Sequence, residues 1–393
     1  MRTETMESKE LKSIFLDKFG DADGEIRVFS APGRVNLIGE HTDYNAGCVF
    51  PAALSMCTTI IARKRDDGII LMMATDLGEM VEGNIENLGA YKKLRWGNYQ
   101  FGVFQELKEH GYPVVGADML FHDTTPHGGG LSSSAAIEVS SAIAMAALGG
   151  IQKINHIDMA KISQLAEHHY IGVNCGIMDQ FASAMGKKDH AIYLDCKTLE
   201  YELVPIMLDG YKLVISNTNK KRSLADSKYN ERRAECEQGL EILKTAYPDI
   251  TCLGDVSTEM FEKNGHLIEN ETIKKRVQHI IEEDARVKRS VEVLKGNHLE
   301  EFGELMTASH VSLRDLYEVS CEELNILVDE ALKIEGVLGS RMTGAGFGGC
   351  TVSLVREDCI DRFIEEVGNN YQRSVGYEAS FYISDIGDGG REL

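Results

Sequence analysis

The chain is 393 residues long, 43% hydrophobic and 26% charged, which is ordinary for a globular protein, leaves room for two domains and excludes a disordered chain. Its formal net charge of −21 argues against nucleic acid or anionic membrane as partners, because both are held by basic patches. The longest apolar stretch, 142–148, is far too short to span a bilayer, the first ten residues lack a signal-peptide core, and none of the nine cysteines stand at Cys-x-x-Cys spacing. A cytoplasmic location with reduced cysteines is therefore expected, without a disulfide framework or a zinc site.

In chain order, the first predicted strand covers 26–30. It leads into Gly33-Arg-Val-Asn-Leu-Ile-Gly-Glu-His-Thr-Asp-Tyr-Asn45, an apolar stem followed by a dense set of hydrogen-bonding side chains. Glu40 and Asp43 carry short carboxylates that accept from neighbouring hydroxyls, as the wall of a sugar pocket must. The same residues also suit a solvated turn. Strands follow over 58–64, 69–74 and 117–122, with a helix over 99–110.

The next motif is Pro126-His-Gly-Gly-Gly-Leu-Ser-Ser-Ser-Ala-Ala136, which opens a small-residue helix over 133–148. A glycine loop at a helix start lets free amides and the positive dipole end face an anion, and phosphate is the expected guest. A serine-capped core helix after a tight turn is the alternative. Three successive serines exceed what a cap requires, and their hydroxyls suit phosphate oxygens or a magnesium ion. A helix over 157–170 comes next, then Cys175-Gly-Ile-Met-Asp-Gln-Phe181 and a strand over 212–216. Beyond it the chain becomes mainly helical, with Ile273, Val277, Ile280, Ile281, Val287, Val291 and Leu294 at helical spacing. Arg341-Met-Thr-Gly-Ala-Gly-Phe-Gly-Gly-Cys350 is a second glycine-dense segment, either a cover for the same phosphates or a plain turn before the strand over 350–355. A last strand covers 380–383, and the domain boundary is placed at 215/216. Walker, protein-kinase, serine-hydrolase and zinc-protease motifs are all missing from the sequence.

Taken together, these motifs resemble in order and spacing the family of galactokinase, homoserine kinase, mevalonate kinase and phosphomevalonate kinase, and the 33–45 run is similar to its galactokinase branch. The resemblance implies an α+β fold with two domains: 1–215, a lobe like the second domain of ribosomal protein S5, and 216–393, a ferredoxin-like lobe carrying the late glycine loop. It implies ATP as co-substrate with Mg2+ and transfer to the anomeric hydroxyl of α-D-galactose; no feature of the sequence argues for an obligate protein partner.

Residue by residue, the resemblance gives Asp179 the role of proton acceptor and Arg34 that of transition-state stabiliser. It gives Glu40, His41, Thr42, Asp43 and Tyr229 to the sugar. Gly128, Gly129, Gly130, Leu131, Ser132, Ser133 and Ser134 fall to the ATP phosphates, and Ser134 with Glu167 to the metal. Trp96 matches a position near the adenine, although a structural tryptophan fits equally. His168 and His169 are assigned no metal, because one helix face cannot present both to an ion. A ligand-binding regulator without catalysis, or a kinase of N-acetylgalactosamine or an arabinose-type sugar, are the alternatives.

Overall fold

A computed structural model describes residues 8–126, 129–220 and 225–393. A six-stranded sheet runs in the order Arg391–Glu392, Arg27–Asn36, Pro51–Arg65, Gly116–Asp123, Ile69–Ala74, Met80–Asn84, and only the pairing of Ile69–Ala74 with Gly116–Asp123 is parallel. The helices Asn98–Glu109, Ser133–Leu148, His156–Ala166 and Met178–Met185 pack with this sheet around one apolar core. A four-stranded antiparallel sheet, ordered Val337–Thr343, Cys350–Arg356, Tyr211–Asn217, Ser380–Ser384, organises the second lobe. Mostly antiparallel sheets with segregated helices make this an α+β protein, as expected.

Two departures from the expected elements matter for the site. The first strand does not stop at Ser30 but runs to Asn36, with a bulge between Pro32 and Arg34 that accommodates the proline and re-aims the arginine. The head of the 33–45 motif is therefore buried sheet, while its polar end forms the loop beyond. The helix expected over 157–170 ends at Ala166 and passes into a π-turn, Glu167–Ile171, closed by Gly172 at φ +90°. Such π-turns widen one helical turn and re-orient the side chains on it.

The expected boundary at 215/216 cuts strand Tyr211–Asn217, all of which lies in the four-stranded sheet. The C-terminal residues then return to the first lobe, where Leu54 bridges Ile386 and Phe29 pairs with Glu392. A further apolar cluster joins the lobes: Val35, Leu37 and Leu131 pack with Phe302, Val352 and Leu354. Helix Glu271–Lys295 carries the expected apolar stripe, burying Ile273, Val277, Ile280, Ile281, Val287, Val291 and Leu294. No described helix is long and apolar enough to cross a membrane.

Candidate functional site

Arg34 leaves the bulged first strand and is buried, so its guanidinium needs partners. Nε and Nη2 each donate to a carboxylate oxygen of Asp179 at 2.7 Å, and Nη1 donates to the carbonyl of Gly130 at 2.8 Å. Burial pulls the Arg34 pKa down, but Asp179 and Glu40 outweigh it and leave the group raised, fixed as a cation. Asp179 stands in the first turn of helix Met178–Met185 and also accepts from the Ser132 hydroxyl. Three donors therefore hold a group with about four acceptor positions, which leaves one for a ligand hydroxyl.

Close packing of small residues brings the loops together. A Cβ on Gly33 would stand 2.6 Å from the carbonyl of Leu131, which itself accepts from Arg34 N at 3.0 Å. A Cβ on Gly344 would stand 3.1 Å from the carbonyl of Gly130, so the late glycine segment lies directly on the first glycine loop. Gly128 lies outside the described residues. Gly129 and Gly130 form the bend before helix Ser133–Leu148, with Gly130 at φ +77°. Leu131 contributes its backbone, since its side chain is core, and the Ser132 hydroxyl, expected at the phosphates, is turned to Asp179. Ser133 and Ser134 are half-buried, and Ser134 faces the cavity.

That cavity, about 840 Å3, is lined by Arg34, Glu40, His41, Asp43, Ser134, Glu167, Asp179 and Tyr229, among others. Residues from remote parts of the chain thus share one cleft. Glu40 is held by the late segment: one carboxylate oxygen accepts from Gly344 N at 2.8 Å, Thr343 Oγ1 at 3.1 Å and Arg341 Nη1 at 3.4 Å. Asp43 is half-buried over the backbone of Gly176; loss of solvation, and then the charge of Asp179, push its carboxyl up to about 7. Burial pushes His41 down to about 3, so it is neutral. Thr42 is the exception among the sugar candidates. Its hydroxyl is buried against the carbonyls of Gly39 and Cys48, at 2.9 and 2.7 Å, and does not line the cavity.

Glu167 opens the π-turn and lines the same cavity as Ser134. Behind it, Glu138 is fully buried, takes a hydrogen bond from Gln180 at 3.1 Å, and has its other carboxylate oxygen without a hydrogen-bond partner. An all-oxygen set with few protein ligands fits Mg2+ carried by phosphates rather than a dedicated protein cage. His168 lies 2.8 Å from the Cys175 carbonyl and His169 3.0 Å from Glu106. Trp96 is half-buried against the core with Phe121 and does not line the cavity.

Sequence reasoning missed Tyr99, Asn174 and Ala345 as cavity residues, and it read Arg341 and Thr343 as part of a phosphate cover rather than as anchors of Glu40. No local pattern signals such long-range contacts; the 341–350 segment reads as glycine-rich, with Arg341 and Thr343 its only charged or hydroxyl-bearing side chains. Another cavity, about 640 Å3 and bounded by Lys153, His156, Gly186 and Arg391, contains none of the predicted residues.

Three family models match the chain: a galactokinase galactose-binding signature over 13–64, the N-terminal domain of the kinase family over 98–187, and its C-terminal domain over 290–373. The chain is 47% identical to a galactokinase of Bacillus subtilis (strain 168), covering 98% of this chain and 99% of the relative. It is 50% identical to a galactokinase of Fusobacterium nucleatum, covering 97% of each. Among solved structures it is similar to a Lactococcus lactis galactokinase complexed with galactose, with TM-score 0.94, 43% identity and 98% and 99% coverage. A mevalonate kinase at 19% identity and TM-score 0.65 shares the fold, covering 91% of this chain and 98% of its own.

Proposed function

The chain belongs to the galactokinase family, and on that premise we propose that it transfers the γ-phosphoryl group of ATP to the anomeric hydroxyl of α-D-galactose, giving galactose 1-phosphate and ADP. The observation that carries this reading is the Arg34–Asp179 pair, standing in one cavity with the hydroxyl-binding side chains Glu40, His41, Asp43 and Tyr229. Such a transfer needs alignment, a proton acceptor and positive groups around the moving phosphoryl more than it needs covalent chemistry.

Asp179, held by Arg34 and Ser132, offers its remaining acceptor position to the anomeric hydroxyl and takes up the proton as the phosphoryl group arrives. Arg34 is fixed by that pair beside the path of transfer and faces the charge that spreads over the phosphoryl oxygens. Glu40 and Asp43 accept from the sugar hydroxyls, with His41 and Tyr229 completing the wall. The amides of Gly129, Gly130 and the start of helix Ser133–Leu148 receive the ATP phosphates. Ser134 and Glu167 would hold Mg2+, which when bound would neutralise phosphate charge. The protein's own charge of −21 makes that neutralisation the more necessary. The reaction takes place in the cytoplasm.

The test is Asp179→Asn in an assay that couples ADP release to galactose addition. The expected result is a drop in kcat of about 10³-fold or more with galactose binding still measurable by calorimetry. Turnover at the wild-type rate would remove Asp179 from this role, and no ADP release from the wild-type protein across a panel of galactose, N-acetylgalactosamine and arabinose would end the reading.

A further inference from the structure

Behind the sugar-facing wall runs a chain of buried hydroxyl contacts that the transfer reaction does not use. His41 Nδ1 lies 2.9 Å from the Tyr44 hydroxyl, Tyr44 lies 2.7 Å from the Tyr317 hydroxyl, and Tyr317 lies 3.2 Å from the Cys236 thiol. Tyr317 and Cys236 are fully buried and His41 nearly so. The rings pack as well: His41 is 4.9 Å from Tyr317 and 5.7 Å from Tyr229, and Tyr44 is 5.0 Å from Tyr229 between centroids. His41 itself has φ +67°, a left-handed conformation uncommon for a residue with a side chain. Such strain persists where surrounding contacts over-determine it, and here the Asn45 side chain also donates to the His41 carbonyl at 2.9 Å.

We propose that Tyr44 and Tyr317 are positioning residues for the sugar: a buried hydroxyl relay from Cys236 through Tyr317 and Tyr44 fixes the ring orientation and tautomer of His41. Each hydroxyl has one proton to give, so the relay runs in one of two directions. An imidazole nitrogen is a good acceptor and a thiol sulfur a poor one. The favoured direction has Tyr317 donating to Tyr44 and Tyr44 donating to Nδ1, which places the imidazole proton on Nε2. The relay's far end is fixed from the second lobe. Tyr317 closes the π-turn Leu313–Tyr317, whose final carbonyls are taken by two buried arginines. Arg276 donates to Leu316 at 2.6 Å, and Arg232 to Tyr317 at 2.8 Å. Just beyond the turn, Val319, whose N–H donates back to Leu313 O at 3.1 Å, receives the late glycine loop, as Phe347 N donates to Val319 O at 2.7 Å. His41 is thus oriented by the lobe that also holds Glu40, and sugar recognition depends on both lobes being in register.

The inference rests on the cavity being the sugar site, and two measurements separate its failure from the failure of that reading. The first needs no sugar: long-range proton–nitrogen NMR of histidine-labelled protein should show His41 as a single neutral Nε2–H tautomer in the wild type, and as the other tautomer or a mixture in Tyr44→Phe. An Nδ1–H ring in the wild type, or a spectrum unmoved by the substitution, overturns the relay. The second is steady-state kinetics. Tyr44→Phe and Tyr317→Phe should each raise the galactose KM roughly tenfold, as expected for one buried hydrogen bond, with the ATP KM and kcat within about threefold. The double variant should be no worse than about twofold beyond either single one, because both break one chain. Multiplicative effects, or a loss confined to kcat, would overturn the proposal.

Discussion

Gly176→Ala isolates what one missing methyl group does for the sugar site. Gly176 does not have a positive φ, so its backbone accepts alanine, and the effect is steric. The added Cβ would stand 1.8 Å from Asp43 Oδ2, 2.3 Å from its Cγ and 2.9 Å from its Cβ. Ordinary contacts begin at about 3.5 Å, so the carboxylate must retreat by about 1.7 Å. Rotation of the side chain alone does not suffice, because the Asp43 Cβ is itself too close. Displacement of a positioning group by about 1 Å costs on the order of 10²-fold. The galactose KM should therefore rise about 100-fold, equivalent to about 2.7 kcal/mol, while the ATP KM stays within threefold. ADP-coupled kinetics with each substrate varied in turn measures both. Asp43→Ala supplies the control: adding Gly176→Ala to it should change little, since the clash has then lost its target. A galactose KM within threefold of wild type in the single Gly176→Ala variant would refute the placement of Asp43 against the sugar.

Further outcomes follow from the same geometry. With its carboxyl pushed up to about 7, mainly by burial, Asp43 takes up a proton as pH falls through that value, so the galactose KM should climb below pH 7 and the slope should vanish in Asp43→Asn. The folded Asp43 pKa lies above the unfolded one, so this carboxyl binds an extra proton in the unliganded protein between about pH 4 and 7 and its contribution to stability falls as pH rises across that window, seen as a Tm that rises more steeply with pH in Asp43→Asn than in wild type. His41, His279 and His310, held by burial down to about 3, 4 and 4, act in the opposite sense, because the unfolded chain binds their protons over the same window, so the difference between wild type and Asp43→Asn isolates the carboxyl. Thr42→Val should leave the galactose KM within twofold yet lower stability by about 1–2 kcal/mol in denaturant titration, because the carbonyls of Gly39 and Cys48 lose the one buried hydroxyl proton they share; a large rise in KM would return Thr42 to the sugar. Excess chelator should abolish transfer, and Glu167→Gln should weaken apparent Mg2+ affinity about tenfold; full activity in chelator would refute the magnesium assignment.

The sequence alone determined the features that depend on local chemistry. Glycine loops are legible because only glycine allows close backbone approach, and the long helix Glu271–Lys295 is legible because its apolar residues repeat at the helical period. The polar run after Gly39 announced a hydroxyl-binding wall for the same reason: carboxylates that close together need donors. Tertiary structure alone decided which of those groups face one another. Thr42 and Asp43 are chain neighbours of equal promise, yet the turn sends the threonine hydroxyl to backbone carbonyls and the aspartate into the cavity. Ser132 went to Asp179, and Thr343 went to Glu40 across about 300 residues of chain. The lobe boundary likewise escaped the sequence, since strand Tyr211–Asn217 has no composition that says which sheet it will join. Periodicity reports which face of an element is buried; which partner buries it is settled by packing and hydrogen-bond satisfaction over the whole chain.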